Sequence, residues 1–260
     1  MPFMAGNEIE VTRFLFNNVG LRLCHLGSVG SIGLPTNDSW GSYENIEKEG
    51  DIDRVRTQDS NKKADIYING VGVSIKQAPT SPLYNRLQRA NIVDTFQKAG
   101  LSDVEGRVAY LDREIAKYQS GKLKSRDVPW PGVFPETDFK ALLKLLMMEY
   151  SPNYGHSTHP AKYILEAPSP LKTASAIQVY SFSEYFDAHK DKIVVSLRRS
   201  WAGQASKSEH SRAVGLISKE ANAPWVFNGA GYGRGPRGWM PDWPESKRQT
   251  AYYIIIYKNA

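Results

Sequence analysis

A chain of 260 residues, 41% hydrophobic and 23% charged with a net charge of +6, has the composition of an ordinary globular protein, which excludes the collagen-like, low-complexity and disordered classes. Its longest strongly apolar run, Ala251 to Tyr257, falls far short of the roughly 20 residues a membrane helix needs, so no membrane partner is expected. A lone Cys24 excludes an internal disulfide framework and a cysteine-based zinc site, and the first five residues lack the features of a secretory signal, so a reducing cytoplasm is the expected compartment.

In chain order, Asn7 to Val19 has the helix formers and apolar spacing of an opening helix, with Asn7 placed to cap it. Leu21 to Trp40 is rich in Gly and Ser and reads as a loop or ribbon, and the strongly charged Asp51 to Ala64 leads into the next element. Ala64 to Gln77, ADIYINGVGVSIKQ, carries two alternating runs around Asn69-Gly70, the strongest short-range signal for a two-residue hairpin. That turn sets Ile68 opposite Val71, Tyr67 opposite Gly72, Ile66 opposite Val73 and Asp65 opposite Ser74. Since side chains alternate, Ile66, Ile68, Val71, Val73 and Ile75 share an apolar face. Asp65, Tyr67, Gly72, Ser74 and Lys76 share the other, which is expected to face water, with Gly72 leaving room beside the acid and the amine.

Leu83 to Gly100, Val104 to Lys117 and the amphipathic Thr137 to Tyr150 are expected helices, while the three prolines of Asp127 to Pro135 predict an irregular joint. Ile193 to Trp201 and Ala251 to Lys258 are rich in β-branched and aromatic residues and read as strands. Between them, Asn228 to Trp239 places five glycines in twelve residues, a flexible basic loop. Residues 190–260 hold twelve Lys or Arg against five Asp or Glu, so the whole positive excess is C-terminal. Such a region suits a polyanion, because neutralising phosphates releases condensed counterions.

Asp65 followed on the next strand by Ser74-Ile75-Lys76 resembles the signature of the PD-(D/E)xK nuclease superfamily, and the wording around it resembles the catalytic hairpin of type II restriction endonucleases. The opening Gly6-Asn7-Glu8-Ile9-Glu10 resembles the Gly-x-x-x-Glu of the first helix in many of these enzymes. Two positions depart from the pattern: Ala64 stands in place of the proline, and Ser74 in place of the second acid, which removes one negative charge from the site. The resemblance implies an α/β (α+β) fold over residues 1–260, a single domain with a central mixed sheet flanked by helices. Its restriction-endonuclease-like core would carry a helical insertion over about 83–150 and a basic, β-rich recognition part over about 160–260. By length alone, one domain with insertions and two packed subdomains are both allowed.

The activity implied is Mg²⁺-dependent, sequence-specific hydrolysis of double-stranded DNA, by a homodimer with a companion DNA methyltransferase. Asp65 and the Ile75 carbonyl would hold the metal, Lys76 would serve the attacking water, and Ser74 would be a neutral neighbour. Glu10 is the candidate for the missing carboxylate, with Glu8, Asp51 and Asp53 as competitors. For DNA contact the candidates are Gln77, Arg86 and Arg89 near the cut site and Arg198, Arg199, Arg212, Arg234 and Arg237 in the basic region, since arginine paired with guanine is the commonest base-reading device. His156 and His159 lack the further ligands of a zinc or HNH site. Tyr67 to Gly70 (YING) resembles half of a GIY-YIG motif but no Gly-Ile-Tyr precedes it, and the sequence holds neither a P-loop nor a dinucleotide fingerprint. The rival class is a non-catalytic DNA-binding or regulatory protein whose hairpin is purely structural.

Overall fold

The computed structural model describes residues 7–57, 61–88, 91–119, 122–123, 125, 127–197 and 252–260. The chain divides into two compact units, one of Met1–Leu83, Leu143–Ile193 and Lys258–Ala260, the other of Tyr84–Leu142 and Val194–Tyr257. Both combine helices with sheet, so the chain is of mixed α and β class with a mixed central sheet.

Helix α1 is Glu8–Phe16. Asn7 stands at its N-cap without capping it, its φ of −82° and ψ of 16° lying outside the extended region a capping residue adopts, and its Nδ2 donates to the Ala167 carbonyl at 2.7 Å. The Gly- and Ser-rich stretch that follows is more ordered than its composition suggests, holding β1 (Arg22–Leu23), β2 (Gly27–Ser28) and β3 (Ile32–Pro35). After β4 (Tyr43–Asn45), the charged segment forms a 3-10 helix over Glu49–Thr57. The hairpin is β5 (Ile66–Ile68) and β6 (Val71–Ala78), paired 66 with 73, 67 with 72 and 68 with 71 as the Asn-Gly turn predicts. Asn69 and Gly70 both take positive φ, 51° and 78°, the combination a two-residue primed turn requires. Asn69 also anchors β2 and the residues leading into β3, its Oδ1 accepting from Gly30 N at 2.8 Å and Ser31 N at 3.1 Å and its Nδ2 donating to Ser28 O at 2.8 Å.

The expected helix over Leu83 to Gly100 is instead β7 (Ser81–Gln88) followed by α2 (Ile92–Lys98). Leu83 and Leu87 fit either period, but Ser81 and Leu83 are buried while Pro82 between them is exposed, the alternation of a strand. Then come α3 (Val104–Gln119), β8 (Asp127–Pro129) and α4 (Glu136–Lys144), whose last turn loosens into a π-helix over Leu145–Glu149. The chain continues through β9 (Tyr150–Ser151), β10 (Gly155–His156), β11 (Tyr163–Pro168), β12 (Gln178–Tyr180), α5 (Phe182–His189), β13 (Ile193–Leu197) and β14 (Tyr252–Lys258).

The first unit is built on a six-stranded sheet in the order β12-β11-β6-β5-β3-β4, antiparallel throughout except that β11 runs parallel to β6. Helix α1 covers one face, its Val11 and Leu15 packing with Ile66, Ile68, Val73, Ile75, Leu165 and Val179. The opposite face, expected to meet water, is also covered: Tyr67 and Ser74 are buried there, and α5 packs against β11 and β12. Gly72 does not leave room for a site, because an added Cβ would stand 2.6 Å from the Pro160 carbonyl and 3.1 Å from the Ala64 methyl. Its missing side chain lets the 157–161 segment close over the hairpin, where Lys162 N donates to Gly72 O at 2.8 Å.

In the second unit Trp130 stacks on Phe139 at 4.7 Å and Phe96 meets Phe134 edge-on at 5.5 Å. Arg107 ties this group together through Asp138 at 3.0 Å and the Val133 carbonyl at 2.8 Å. No helix among the described residues is long and apolar enough to cross a membrane.

Candidate active site

Strand β6 runs on to Ala78 while its neighbour β5 begins only at Ile66, which leaves a notch in the sheet beside residues 74–77. Asp65 fills that notch. Its own N–H donates to the Val73 carbonyl at 2.8 Å, one residue out of step with the 66-to-73 pairing. From there its carboxylate takes over as partner of β6: Oδ2 accepts the Ile75 N–H at 2.6 Å and the Ser74 hydroxyl at 3.3 Å. The Asp65-to-Ser74 proximity read from the sequence is therefore real, but the carboxylate lies at the plane of the sheet and not on one of its faces. Gly72, an even-numbered residue of β6, turns its carbonyl toward Lys162 at the β11 side. Ile75 turns its N–H toward Asp65, and since the N–H and C=O of one strand residue project from the same edge, the Ile75 carbonyl faces the notch as well.

The residues before Asp65 are held by a network that the sequence did not reveal. Lys63 N and Ala64 N both donate to the His159 carbonyl, at 3.0 and 2.9 Å. The His159 ring is fully used: Nε2 meets the Thr36 carbonyl at 2.7 Å and Nδ1 meets the Tyr67 hydroxyl at 2.9 Å. A carbonyl can only accept, so Nε2 carries the proton and Nδ1 accepts from Tyr67. Burial lowers the His159 pKa and favours this neutral form. His159 is thus a positioning residue and not a ligand, and Ala64 supplies an N–H that proline lacks.

Charges converge on the notch. Burial is the largest influence on Asp65 and, with Glu8 adding to it, raises its carboxyl from 3.8 to about 6 against the opposing pull of Lys76, the Ile75 amide and the Ser74 hydroxyl. Burial first, then Lys76, lowers Lys63 to about 8, with Asp65 working the other way. Asp65, Lys76, Ser74 and Glu8 are therefore brought together with Lys63, which the sequence reading missed although alternation from Asp65 places it on the same side of the chain.

Other candidates go elsewhere. Glu10 faces the loop after β11, accepting from Leu171 N at 2.5 Å and Ser169 Oγ at 2.8 Å. The helical turn that points Glu10 at that loop leaves Glu8 as the α1 carboxylate acting on Asp65. Asp51 accepts the Glu47 and Lys48 amides at 3.3 Å, and Asp53 lies 3.9 Å from Arg13. Gln77 is half-buried on β6. Arg86 sits on strand β7, not on a helix. Arg89, Arg198, Arg199, Arg212, Arg234 and Arg237 lie outside the described residues, as does the glycine-rich loop.

Among the described residues no group of three His, Cys, Asp or Glu side chains forms a ready cage for a metal. The notch still has the donors a hard cation takes: the Asp65 carboxylate, the Ile75 carbonyl edge and Glu8 within electrostatic reach. Mg²⁺ binds through one or two carboxylates and keeps several waters, so these residues fit it. No protein-family model, curated protein or solved structure matches the chain, and the site stands on its own geometry.

Proposed function

We propose that the chain is a Mg²⁺-dependent, sequence-specific endonuclease of the type II restriction kind, hydrolysing phosphodiester bonds of double-stranded DNA at a PD-(D/E)xK-like site. The observation that carries this reading is Asp65, a carboxylate whose ionisation is opposed by burial and by Glu8 yet is fixed in place by Ile75 and flanked by Lys76. A group so placed is disfavoured as a bare anion and favoured once a cation shares its field. The central position of the hairpin, with β11 parallel to β6 and α1 across one face, supports a restriction-endonuclease-like core. The positive excess of residues 190–260 supports DNA as the polyanion.

In this mechanism Asp65, the Ile75 carbonyl and Glu8 would hold Mg²⁺, with Ser74 fixing the Asp65 carboxylate. The bound ion supplies charge neutralisation at the phosphate and a more acidic water. Lys76 orients the attacking water and balances charge on the phosphate, and Lys63 adds a second cation at the same place. The reading carries with it a cytoplasmic location, a companion methyltransferase protecting the recognised site and, for a palindromic site, a two-fold homodimer.

Plasmid DNA incubated with the full chain in Mg²⁺ or in EDTA tests this. Discrete fragments in Mg²⁺ alone are expected, lost in Asp65→Ala and Lys76→Ala while DNA binding persists, with Ser74→Ala milder. Full activity in either of the first two variants would remove the assignment. Intact plasmid with retained DNA binding would replace it by a non-catalytic DNA-binding protein.

A further inference from the structure

Strand β11 carries a second set of buried charges beside the notch. Glu166 is the in-register partner of Lys76 across the parallel β6–β11 pair, so their Cα atoms are about 4.8 Å apart and both side chains rise from the same face. Cross-strand neighbours of opposite charge attract one another. Glu166 Oε1, however, is already taken by Lys258 Nζ, while His189 Nε2 lies 3.1 Å from Oε2 without completing a hydrogen bond. Glu166 is 6% exposed and Lys258 2%. The Lys258 ammonium lies 5.7 Å from the Tyr185 ring centroid, and Tyr185 and Tyr180 both meet the His189 ring edge-on.

A buried pair of this kind is weak evidence of stabilisation, because desolvation offsets the attraction, and its better-attested use is to specify one arrangement. Here the arrangement at stake is that of Lys76. An uncompensated carboxylate one strand away would compete with Asp65 for its ammonium. We infer that Lys258 neutralises Glu166 so that Lys76 stays directed at Asp65, which makes Lys258 and Glu166 positioning residues for the cleavage reaction. Asp65 lies at the same place along the strand, its Oδ2 accepting the N–H of Ile75, the residue before Lys76. This inference rests on the endonuclease reading for its kinetic consequence, but not for its structural one.

Lys258→Met keeps the apolar stem and removes the charge. Its Mg²⁺-dependent kcat should fall on the order of 10²-fold, the effect of displacing a catalytic group by about 1 Å, with KM for DNA little changed and with Lys258→Arg retaining activity. A crystal structure of Lys258→Met should show Lys76 Nζ moved to Glu166. Glu166→Gln added to Lys258→Met should recover kcat to within about tenfold of the parent, because a neutral amide no longer draws the lysine. If Lys258→Met does not fold, Lys258→Gln, which can still donate to Glu166 but carries no charge, should show a smaller kcat loss that Glu166→Gln likewise reverses. An unmoved Lys76 with parental kcat, or a double variant as slow as the single one, overturns the inference. A parent protein that cuts nothing overturns the endonuclease reading instead, while the position of Lys76 in the variant still decides this one.

Discussion

Replacing Asp65 by Asn separates the cost of the notch from its use. The amide keeps an oxygen for the Ile75 N–H and the Ser74 hydroxyl but carries no charge to be desolvated. A folded-state pKa raised from 3.8 to about 6 means the folded protein binds the Asp65 proton more tightly than the unfolded chain does. The stability linked to that proton is fully present below about pH 4 and lost as the pH rises through about 6, at most about 3 kcal/mol for a displacement of this size. Asp65 retains some contact with water, so the expected gain for Asp65→Asn at pH 7.5 is about 1–3 kcal/mol, a rise in Tm of about 2–4 °C per kcal/mol for a chain of this length. At pH 4 the parent is protonated and the gain should vanish. Thermal melts from pH 4 to 8 measure this directly. Mg²⁺ should raise the parent's Tm by mass action and leave that of the variant unchanged. A variant less stable than the parent at every pH, or equally stabilised at pH 4 and 8, would refute the claim that burial outweighs the partners of the Asp65 carboxylate.

Three further substitutions address how the site is held. Glu8→Gln should raise the Mg²⁺ concentration needed for half-maximal cleavage by about tenfold or more. Glu10→Gln should leave that concentration nearly unchanged and lower stability by about 1–3 kcal/mol, the usual effect of losing charge-assisted bonds such as those to Leu171 and Ser169. Metal titrations of cleavage and urea unfolding of both variants distinguish the two glutamates, and the opposite pattern would return the metal site to Glu10. Gly72→Ala forces a methyl against the Pro160 carbonyl and should lower the urea-derived stability by about 1–3 kcal/mol; an unchanged midpoint would show that the 157–161 segment yields freely.

What the sequence made legible was local. Asn69-Gly70 dictates its own turn, and the turn dictates the 66-to-73 register, so the apolar face and the proximity of Asp65 to Ser74 and Lys76 could be read from fourteen residues. The register fails one residue further on, where Asp65 N turns to Val73 O. Nothing in the alternation signals that slip, because it depends on β5 ending before β6 does. The choice between Glu8 and Glu10 is likewise non-local. Both lie in the first turn of α1, and which one meets the notch is fixed by contacts some 160 residues away, where Asn7 binds Ala167 and Glu10 binds Leu171.

The departure at position 64 shows how a family pattern and a physical requirement part company. Read as a motif, Ala64 is a lost proline. In the fold its methyl is fully buried against Gly72, and its N–H is one of two amides clamped by the His159 carbonyl. A proline at 64 would have no N–H to give and would leave Lys63 as the only amide on that carbonyl. The same clamp requires His159 in its neutral, Nε2-protonated form, Tyr67 as donor to it, and a glycine at 72 to let Pro160 approach. Tyr67, Gly72 and His159 are therefore parts of one support whose product is the position of Asp65. The residue that replaces the proline and the residues that cover the hairpin's second face belong to a single device, which a reading of that face as solvent-exposed could not supply.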